Sequence, residues 1–428
     1  MIGIIGAGIS GLALAYELQK KRIPYFLLEA TGKVGGYLQS EKIGNYQLDY
    51  GANSLLCDQQ ILQWIEEIGL KSEIVSTNPV SKNRYIFRNG AYQILPASPP
   101  QLIFSNFFSW KTKWRVFQER NKKAEPKTNE SLASFFRRRF SQEIVDYALN
   151  PFVSGIYAGN PEDLLLEKTF PMLAEYEQKY GSVLKGFIKN KGGARRQSIN
   201  FRNGMNTLPQ KLAELVKENL RLNTPIEKIE KNDKKWKINE LECEKLVITS
   251  PAFVTAKLLQ TTFPDFSNAL EKVNYPPMCV VYTAFKKQDV HHQLNGFGGL
   301  HPKIEHQFSA GSIWSSSVFP DRCPADEVLF TSFVGGMQYA ENAQLTDNLL
   351  LEKLNGELKK NYQIKGNPVF QKIFRWEKAI PQYNTHINQV YEQAKHLEQE
   401  NIFICANWKD GVSVADCIKK AIDLATVM

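Results

Sequence analysis

Six residues near the start of the chain, Gly6-Ala7-Gly8-Ile9-Ser10-Gly11, form the first pattern with chemical meaning. In such a turn the first glycine permits a tight bend. The second lets backbone approach a pyrophosphate, and the third lets a helix pack closely on a strand. The helix that opens there offers unpaired N–H groups and a positive dipole end to phosphate. Glu29 follows 18 residues after Gly11. Its carboxylate can accept hydrogen bonds from a ribose 2′-hydroxyl, and its charge disfavours a 2′-phosphate. The chemistry indicated is dinucleotide binding. The plain alternative is a glycine turn in an ordinary strand–helix–strand unit.

Other reactive groups are sparse. No Gly-x-Ser-x-Gly turn occurs, and His301-Pro-Lys-Ile-Glu305-His306 is one residue too long for a His-x-x-Glu-His zinc motif. No metal is expected. Cys57, Cys243, Cys279, Cys323, Cys405 and Cys417 stand apart, with no Cys-x-x-Cys pair. They are expected as small buried hydrophobes in a reducing compartment. No acid, base or nucleophile stands out, which points to chemistry carried by a bound cofactor.

The elements around these residues can be read from periodicity. Met1 to Ile5 is a short apolar run, Leu12, Ala13, Ala15, Tyr16 and Leu18 recur with helical spacing, and Pro24 to Leu28 is a second run. Two alternating runs flank Asn89-Gly90 between Arg84 and Leu95, which predicts a hairpin. From Ala97 to about Lys191 the chain reads as mainly helical, with a polar break at Lys122 to Asn129. A helix is expected over Leu208 to Glu218. Strands are expected near Leu220 to Ile229, Lys235 to Ile238 and Glu244 to Ser250. Val280 to Gly335 alternates strand-like runs with Gly and Pro turns, which suggests a mixed or antiparallel sheet. A last strand at Phe403 to Ala406 leads through Asn407 to Gly411 into a helix over Val414 to Ala425.

The chain has 428 residues, 43% apolar and 23% charged, which excludes a disordered, collagen-like or disulfide-scaffold protein. Its net charge is +9, and nearly all the surplus lies between Ala97 and Asn203, with 18 basic and 10 acidic residues. Lys111 to Arg139 alone holds 10 basic and 3 acidic residues, beside Phe104, Phe107, Phe108, Trp110 and Trp114. Cations next to aromatics suit an anionic membrane surface; a solvated basic face is the bland reading. The longest uncharged run, Asn89 to Trp110, contains Pro96, Pro99 and Pro100 and cannot be a continuous spanning helix. The start of the chain shows no basic leader, so a cytoplasmic location is expected, peripheral on the membrane face.

After Glu29, a second glycine pair in Ala30-Thr-Gly-Lys-Val-Gly35-Gly36-Tyr37 resembles the extended FAD fingerprint of the amine oxidase superfamily. Many members carry Arg where this chain has Tyr37. Asp49-Tyr-Gly51-Ala52-Asn53-Ser54 resembles the superfamily segment beside the flavin ring, and the final strand–turn–helix its terminal FAD segment, with Ala406 in place of the usual Gly. Further segments resemble the oxygen-dependent protoporphyrinogen oxidase family and its coproporphyrinogen-oxidising relatives. The most specific are Asn150-Pro-Phe-Val-Ser-Gly155-Ile-Tyr-Ala-Gly159-Asn-Pro161 and the Ser-Ser-Ser-Val-Phe-Pro run ending at Pro320. Asn83-Arg84-Tyr85, Glu130 to Arg138, Gly204 to Pro209, Gly296 to Pro302 and Ile380 to Tyr383 extend the likeness over essentially the whole chain.

The resemblance implies an α/β (α+β) architecture: a Rossmann-like FAD-binding domain, a mixed-sheet substrate domain and a helical membrane-binding insert. The expected parts are 1–83 (FAD), 84–96 (substrate-domain hairpin), 97–200 (insert), 201–265 (FAD), 266–385 (substrate) and 386–428 (FAD). It implies FAD contacts from Gly6, Ala7, Gly8, Ile9, Ser10, Gly11, Glu29, Ala30, Gly36, Tyr37, Gly51, Ala52, Asn53, Ser54, Ile226, Asn407, Val412, Ser413 and Val414. Arg84 matches the family's propionate-binding arginine, since a guanidinium suits a carboxylate bidentately. Phe297 and Leu300 match the pair that sandwiches a pyrrole ring. Gly155 matches a position whose carbonyl faces the pyrrole N–H groups. No residue is expected to act as a catalytic group; the flavin would take hydride while the substrate's own nitrogens lose protons.

The implied reaction is the six-electron oxidation of protoporphyrinogen IX to protoporphyrin IX, with O2 as acceptor. Coproporphyrinogen III to coproporphyrin III is the alternative. Expected partners are the porphyrinogen, O2 and an anionic membrane surface, with a homodimer also allowed for and no nucleic acid. Rival readings are another flavin amine oxidase or carotenoid desaturase, and a non-catalytic porphyrin- or membrane-binding protein. No His or Cys sits in a recognisable flavin-attachment setting, so the flavin should be held non-covalently. Acid precipitation should release it into the supernatant; flavin retained in the protein pellet would contradict this.

Overall fold

The computed structural model describes residues 1–190, 196–233 and 235–428. A five-stranded parallel sheet runs in the order Leu220–Arg221, Tyr25–Leu28, Ile2–Ile5, Lys245–Ile248, Ile402–Ile404. Its two inner apolar runs, Ile2–Ile5 and Tyr25–Leu28, are buried at every position, as a parallel sheet covered on both faces requires. Helices Ile9–Lys20 and Val414–Val427 pack against each other in one hydrophobic cluster with this sheet. A three-stranded antiparallel sheet, Ile229–Asn232, Lys235–Ile238 and Leu241–Cys243, continues from it. Strand Gln197–Phe201 spans the expected boundary at residue 200 and pairs with Leu55–Cys57 and Ile74–Ser76.

The second large sheet has seven strands, in the order Phe370–Trp376, Met278–Lys286, Glu327–Gly335, Gly311–Trp314, Gly298–Leu300, Tyr85–Arg88, Ala91–Ile94. It is mixed: Gly298–Leu300 and Tyr85–Arg88 run parallel and the other neighbours antiparallel. The expected hairpin forms, with Asn89 at φ 54° and Gly90 at φ 82°. Two consecutive left-handed residues are what a type I′ turn needs.

Alternation along the strands gives this sheet two different faces. On one, Tyr85, Val281, Trp314 and Phe330 pack on helix Asp347–Tyr362 through Leu350, Leu354, Leu358 and Tyr362. On the other, Ile86 and Leu300 pack with Phe107 and Phe108 of the helical insert. The insert holds helices Pro99–Phe104, Trp110–Glu119, Leu132–Arg139, Asn150–Tyr157, Pro171–Tyr180 and Val183–Lys189; Lys191 lies outside the described residues. Ser98, Ser109, Ser131 and Ser182 each cap a helix start through the hydroxyl.

Phe107 and Phe108 correct the expectation that five aromatics face a membrane. They are 3% and 5% exposed and form core, whereas Phe104 (85%), Trp110 (75%) and Trp114 stay exposed, joined by Phe117. The basic surplus is also smaller at the surface than the sequence count. Arg139 is buried and ion-paired with Glu119 and Glu177, and Arg138 bridges Glu130 and Glu177 at 2.7 Å each. Glu119 also accepts the Ser182 hydroxyl and the Val183 and Leu184 N–H groups, so it fastens one insert helix to the start of another. Arg88 joins the hairpin to the insert through Glu143 at 2.7 Å. Burial opposes ionisation of Glu143, but hydrogen bonds from Ser109, Thr112 and Arg88 outweigh it and hold its pKa down to about 2. Among the described residues no helix is long and apolar enough to cross a membrane.

Removing one partner of a buried ion pair leaves the other charge uncompensated, at a cost of roughly 3–5 kcal/mol. Glu119→Ala should therefore lower the denaturant midpoint strongly, while Lys71→Ala at an exposed pair should not. Equal midpoints for the two variants would contradict the role given to Glu119.

Candidate functional site

The glycine turn holds the geometry its spacing predicts. Gly6 sits at φ 104°, and a Cβ on Gly11 would lie 2.0 Å from Gly6 O, so any side chain there would drive helix and turn apart. At Gly8 the space for a Cβ is open to 4 Å. Gly35 bridges to Gly8, its N–H donates to Ala7 O at 2.8 Å, and Gly36 lies against Gly8 Cα. Two glycine segments thus leave bare backbone around one opening, as approach of a pyrophosphate demands.

Glu29 stands at the end of the second strand. Its carboxylate accepts the Ala7 N–H at 2.9 Å, the Thr31 N–H at 3.0 Å and the Thr31 hydroxyl at 2.8 Å. Its backbone oxygen accepts from Thr224 N–H, which brings half-buried Ile226 alongside; Ala30 is exposed. Tyr37 packs on Trp376 at 4.9 Å and donates to Lys378 O at 2.8 Å. Its carbonyl lies 1.9 Å from where a Cβ on Gly51 would sit, so Gly51 follows it at closest approach. Ala52 packs on the nucleotide-side core, and Asn53 donates to Gly51 O at 3.2 Å with half-buried Ser54 next to it.

The C-terminal segment reaches the same turn. Ser413 caps helix Val414–Val427 in a reciprocal capping box with Asp416. The Ser10 hydroxyl is within hydrogen-bonding reach of the Cys417 thiol, so the starts of the two helices adjoin. Asn407 O accepts the Tyr383 hydroxyl at 2.5 Å, and Val412 and Val414 are half-buried beside it. Ala406, where glycine is usual, is fully buried in the core around Trp408. Helix Asn150–Tyr157 ends close by: burial, then the Asp416 charge, pushes the Tyr157 phenol up to about 12. Bare glycine backbone, two converging helix starts and a carboxylate bonded to the turn at the end of the second strand fit a dinucleotide.

The expected substrate residues are also drawn together. The Arg84 guanidinium lies 3.7 Å from the Phe297 ring centroid. It stays accessible, yet the protein around it pulls its pKa down to about 10. Among the described residues no carboxylate pairs with it. Leu300 touches Gly155, where a Cβ would meet Leu300 Cδ2 at 2.8 Å. Phe152 and Ile156, flanking Gly155 on its helix, are exposed. Sheet and insert therefore meet at Leu300 and Gly155, and Arg84 stands on the same sheet beside Phe297.

Phe297 shares a small cavity with Asp49, Asn53, Asn200, Tyr282 and Arg322. Asp49 accepts the Ser40 hydroxyl at 2.6 Å, the Asn200 amide at 2.8 Å and the Met205 N–H at 2.7 Å. Tyr282 OH donates to Asp49 O at 2.8 Å and accepts its N–H at 2.7 Å. Arg322, 4% exposed, lies 3.7 Å from Asp49. Sequence reasoning missed this cluster, because Tyr282 and Arg322 lie more than 200 residues from Asp49 and carry no local pattern. His301 and Glu305 serve other partners: His301 contacts Tyr92 and Ser309, and Glu305 accepts from Tyr147 and Asn89.

The sequence profile of the family described as flavin containing amine oxidoreductase matches residues 9–428. The chain belongs to this family. It is an FAD-dependent oxidase. Protoporphyrinogen oxidase 2, chloroplastic/mitochondrial, of Arabidopsis thaliana is 31% identical over 99% of this chain and 93% of its own. Coproporphyrinogen III oxidase of Bacillus subtilis (strain 168) is 26% identical over 97% of this chain and 95% of its own. A crystal structure of an Exiguobacterium sp. 255-15 protein superposes with a TM-score of 0.80 at 21% identity, covering 100% of this chain and 98% of that one. The expected mixed α/β fold of the flavin amine oxidases is the fold observed.

Proposed function

We propose that this flavoenzyme oxidises a porphyrinogen to the porphyrin, with protoporphyrinogen IX as substrate and coproporphyrinogen III as the alternative, and with O2 as final acceptor. The observation that carries it is Arg84: an accessible guanidinium set on the Phe297 ring and, among the described residues, without a carboxylate partner, so that an apolar slot between sheet and insert would end on a free cation. A tetrapyrrole with propionate tails needs that combination. The names of the two relatives above support the same substrate class.

In this reading Arg84 holds a propionate, Phe297 and Leu300 grip a pyrrole ring, and the Gly155 carbonyl orients the pyrrole N–H groups. A side chain at Gly155 would force the Leu300 side chain to shift. Gly6 to Gly11, Glu29, the Gly36 and Gly51 segments and the Asn407–Val414 turn would hold FAD, which accepts hydride when bound. Exclusion of water by insert and sheet keeps the reaction in the slot. The domain division at 83, 96, 200, 265 and 385 belongs to the same reading, with its boundaries at 200 and 265 falling inside strand Gln197–Phe201 and helix Pro264–Glu271.

Arg84→Ala removes one charge-assisted hydrogen-bond partner, worth about 1.5–3 kcal/mol, or about 10- to 150-fold in KM. Purified enzyme offered both porphyrinogens side by side, read by porphyrin fluorescence, should show that rise in KM with flavin content unchanged. An unchanged KM would remove Arg84 from the site, and no porphyrin from either substrate would overturn the function.

Membrane contact belongs to the same reading. Trp110, Trp114 and Phe117 recur at helical spacing and are exposed, beside exposed Lys111, Arg115 and Arg120. Each cation near an anionic surface contributes about 1 kcal/mol, so the few left unpaired suffice for reversible, salt-sensitive attachment. The protein should float with anionic liposomes at low salt and dissociate at high salt; sedimentation under both conditions would make the insert a pocket wall only.

A further inference from the structure

The sheet face turned away from the insert carries buried polar side chains that the oxidation itself does not use. His301 directly follows Leu300 and is 3% exposed. Its Nδ1 lies 2.9 Å from Ser309 O and its Nε2 2.7 Å from the Tyr92 hydroxyl. Facing a carbonyl, Nδ1 must carry the proton, so in the neutral ring Nε2 accepts the Tyr92 O–H. The two rings stack, with planes 20° apart. Tyr92 also closes on Gly299, where a Cβ would lie 2.2 Å from its ring. Glu357, on helix Asp347–Tyr362, accepts the Phe308 N–H and the Ser309 hydroxyl at 2.5 Å each, which fixes the loop that His301 grips.

These contacts join the two pieces of sheet that carry the slot. Arg84 stands at the root of the hairpin whose second strand holds Tyr92, and its carbonyl accepts the Leu95 N–H at 2.8 Å. Phe297 precedes the neighbouring strand and Leu300 ends it. Between hairpin and strand the ladder has only two residue pairs, Gly299 with Tyr85 and Leu300 with Ile86. At the Phe297 end the Phe297 N–H continues it to Asn83 O at 2.9 Å, with the Asn83 amide and the Tyr85 hydroxyl both donating to Asn295; at the Leu300 end Tyr92 and His301 take that part. Ring stacking alone has no direction, whereas a buried hydrogen bond has both length and angle.

We propose that Tyr92 and His301 form a brace that sets Leu300 relative to Arg84, so that the propionate and the pyrrole ring of the substrate are engaged at once. They are positioning residues. The proposal rests on the porphyrinogen reading above and adds a specificity device to it.

Tyr92→Phe keeps the stacked ring and removes only the hydroxyl. It should lower kcat/KM for porphyrinogen about tenfold, with flavin content unchanged. In the Arg84→Ala background the same substitution should cost less than twofold, because the anchor it positions is gone. An equal loss in both backgrounds would make the pair a general stability element, and no loss in either would remove it from the site; each result overturns the brace. If Tyr92→Phe does not fold, His301→Asn carries the same cycle, since Asn lacks the reach to Tyr92. Absence of turnover in the unmutated enzyme would instead sink the functional reading, and the two failures are thus separable.

Discussion

A buried carboxylate, Asp49, joins the nucleotide half of this protein to its second sheet, and the arrangement of the site depends on it. A carboxylate out of water persists only if its lone pairs are taken. Asp49 finds donors in Ser40, Asn200 and Met205, with Arg322 close behind. Tyr282, midway along the second strand of the seven-stranded sheet, clasps the Asp49 backbone on both its N–H and its carbonyl. Trp376 adds a bond to Tyr50 O. Gly51 to Ser54 are therefore fixed against the sheet, and Asn53 comes to line one cavity with Phe297. A site that must set a flavin against a large substrate needs this seam to be rigid, because hydride transfer tolerates little misplacement.

Much of this was legible before any coordinates. The glycine turn, the strand ending at Glu29 and the Asn89-Gly90 hairpin rest on local rules, and local rules operate within a few residues. The four expected substrate residues fall into two touching pairs, Arg84 with Phe297 and Gly155 with Leu300. Helix Asp347–Tyr362 was missed although Leu350, Leu354 and Leu358 repeat every four residues; its mixed charged surface obscures the stripe. The Asp49 cluster and the Tyr92–His301 brace could not be read, since each is assembled from segments far apart in sequence.

The insert shows how composition misleads about surface. Arg138 and Arg139 add to the basic count but lie in a network with Glu119, Glu130 and Glu177, and Phe107 and Phe108 add to the aromatic count but form core. What remains outside is a narrower stripe of Trp110, Trp114 and Phe117 with exposed cations. The same insert supplies helix Asn150–Tyr157 to the slot, so surface stripe and substrate wall share one scaffold.

A porphyrinogen held at this seam should reduce the flavin. The most direct test is anaerobic mixing of the yellow holoenzyme with porphyrinogen while flavin absorbance is followed. The flavin should bleach as porphyrin fluorescence appears, and the colour should return when air is admitted. A flavin that stays oxidised while porphyrinogen binds would contradict it, and would leave the protein a binder of tetrapyrroles rather than their oxidase.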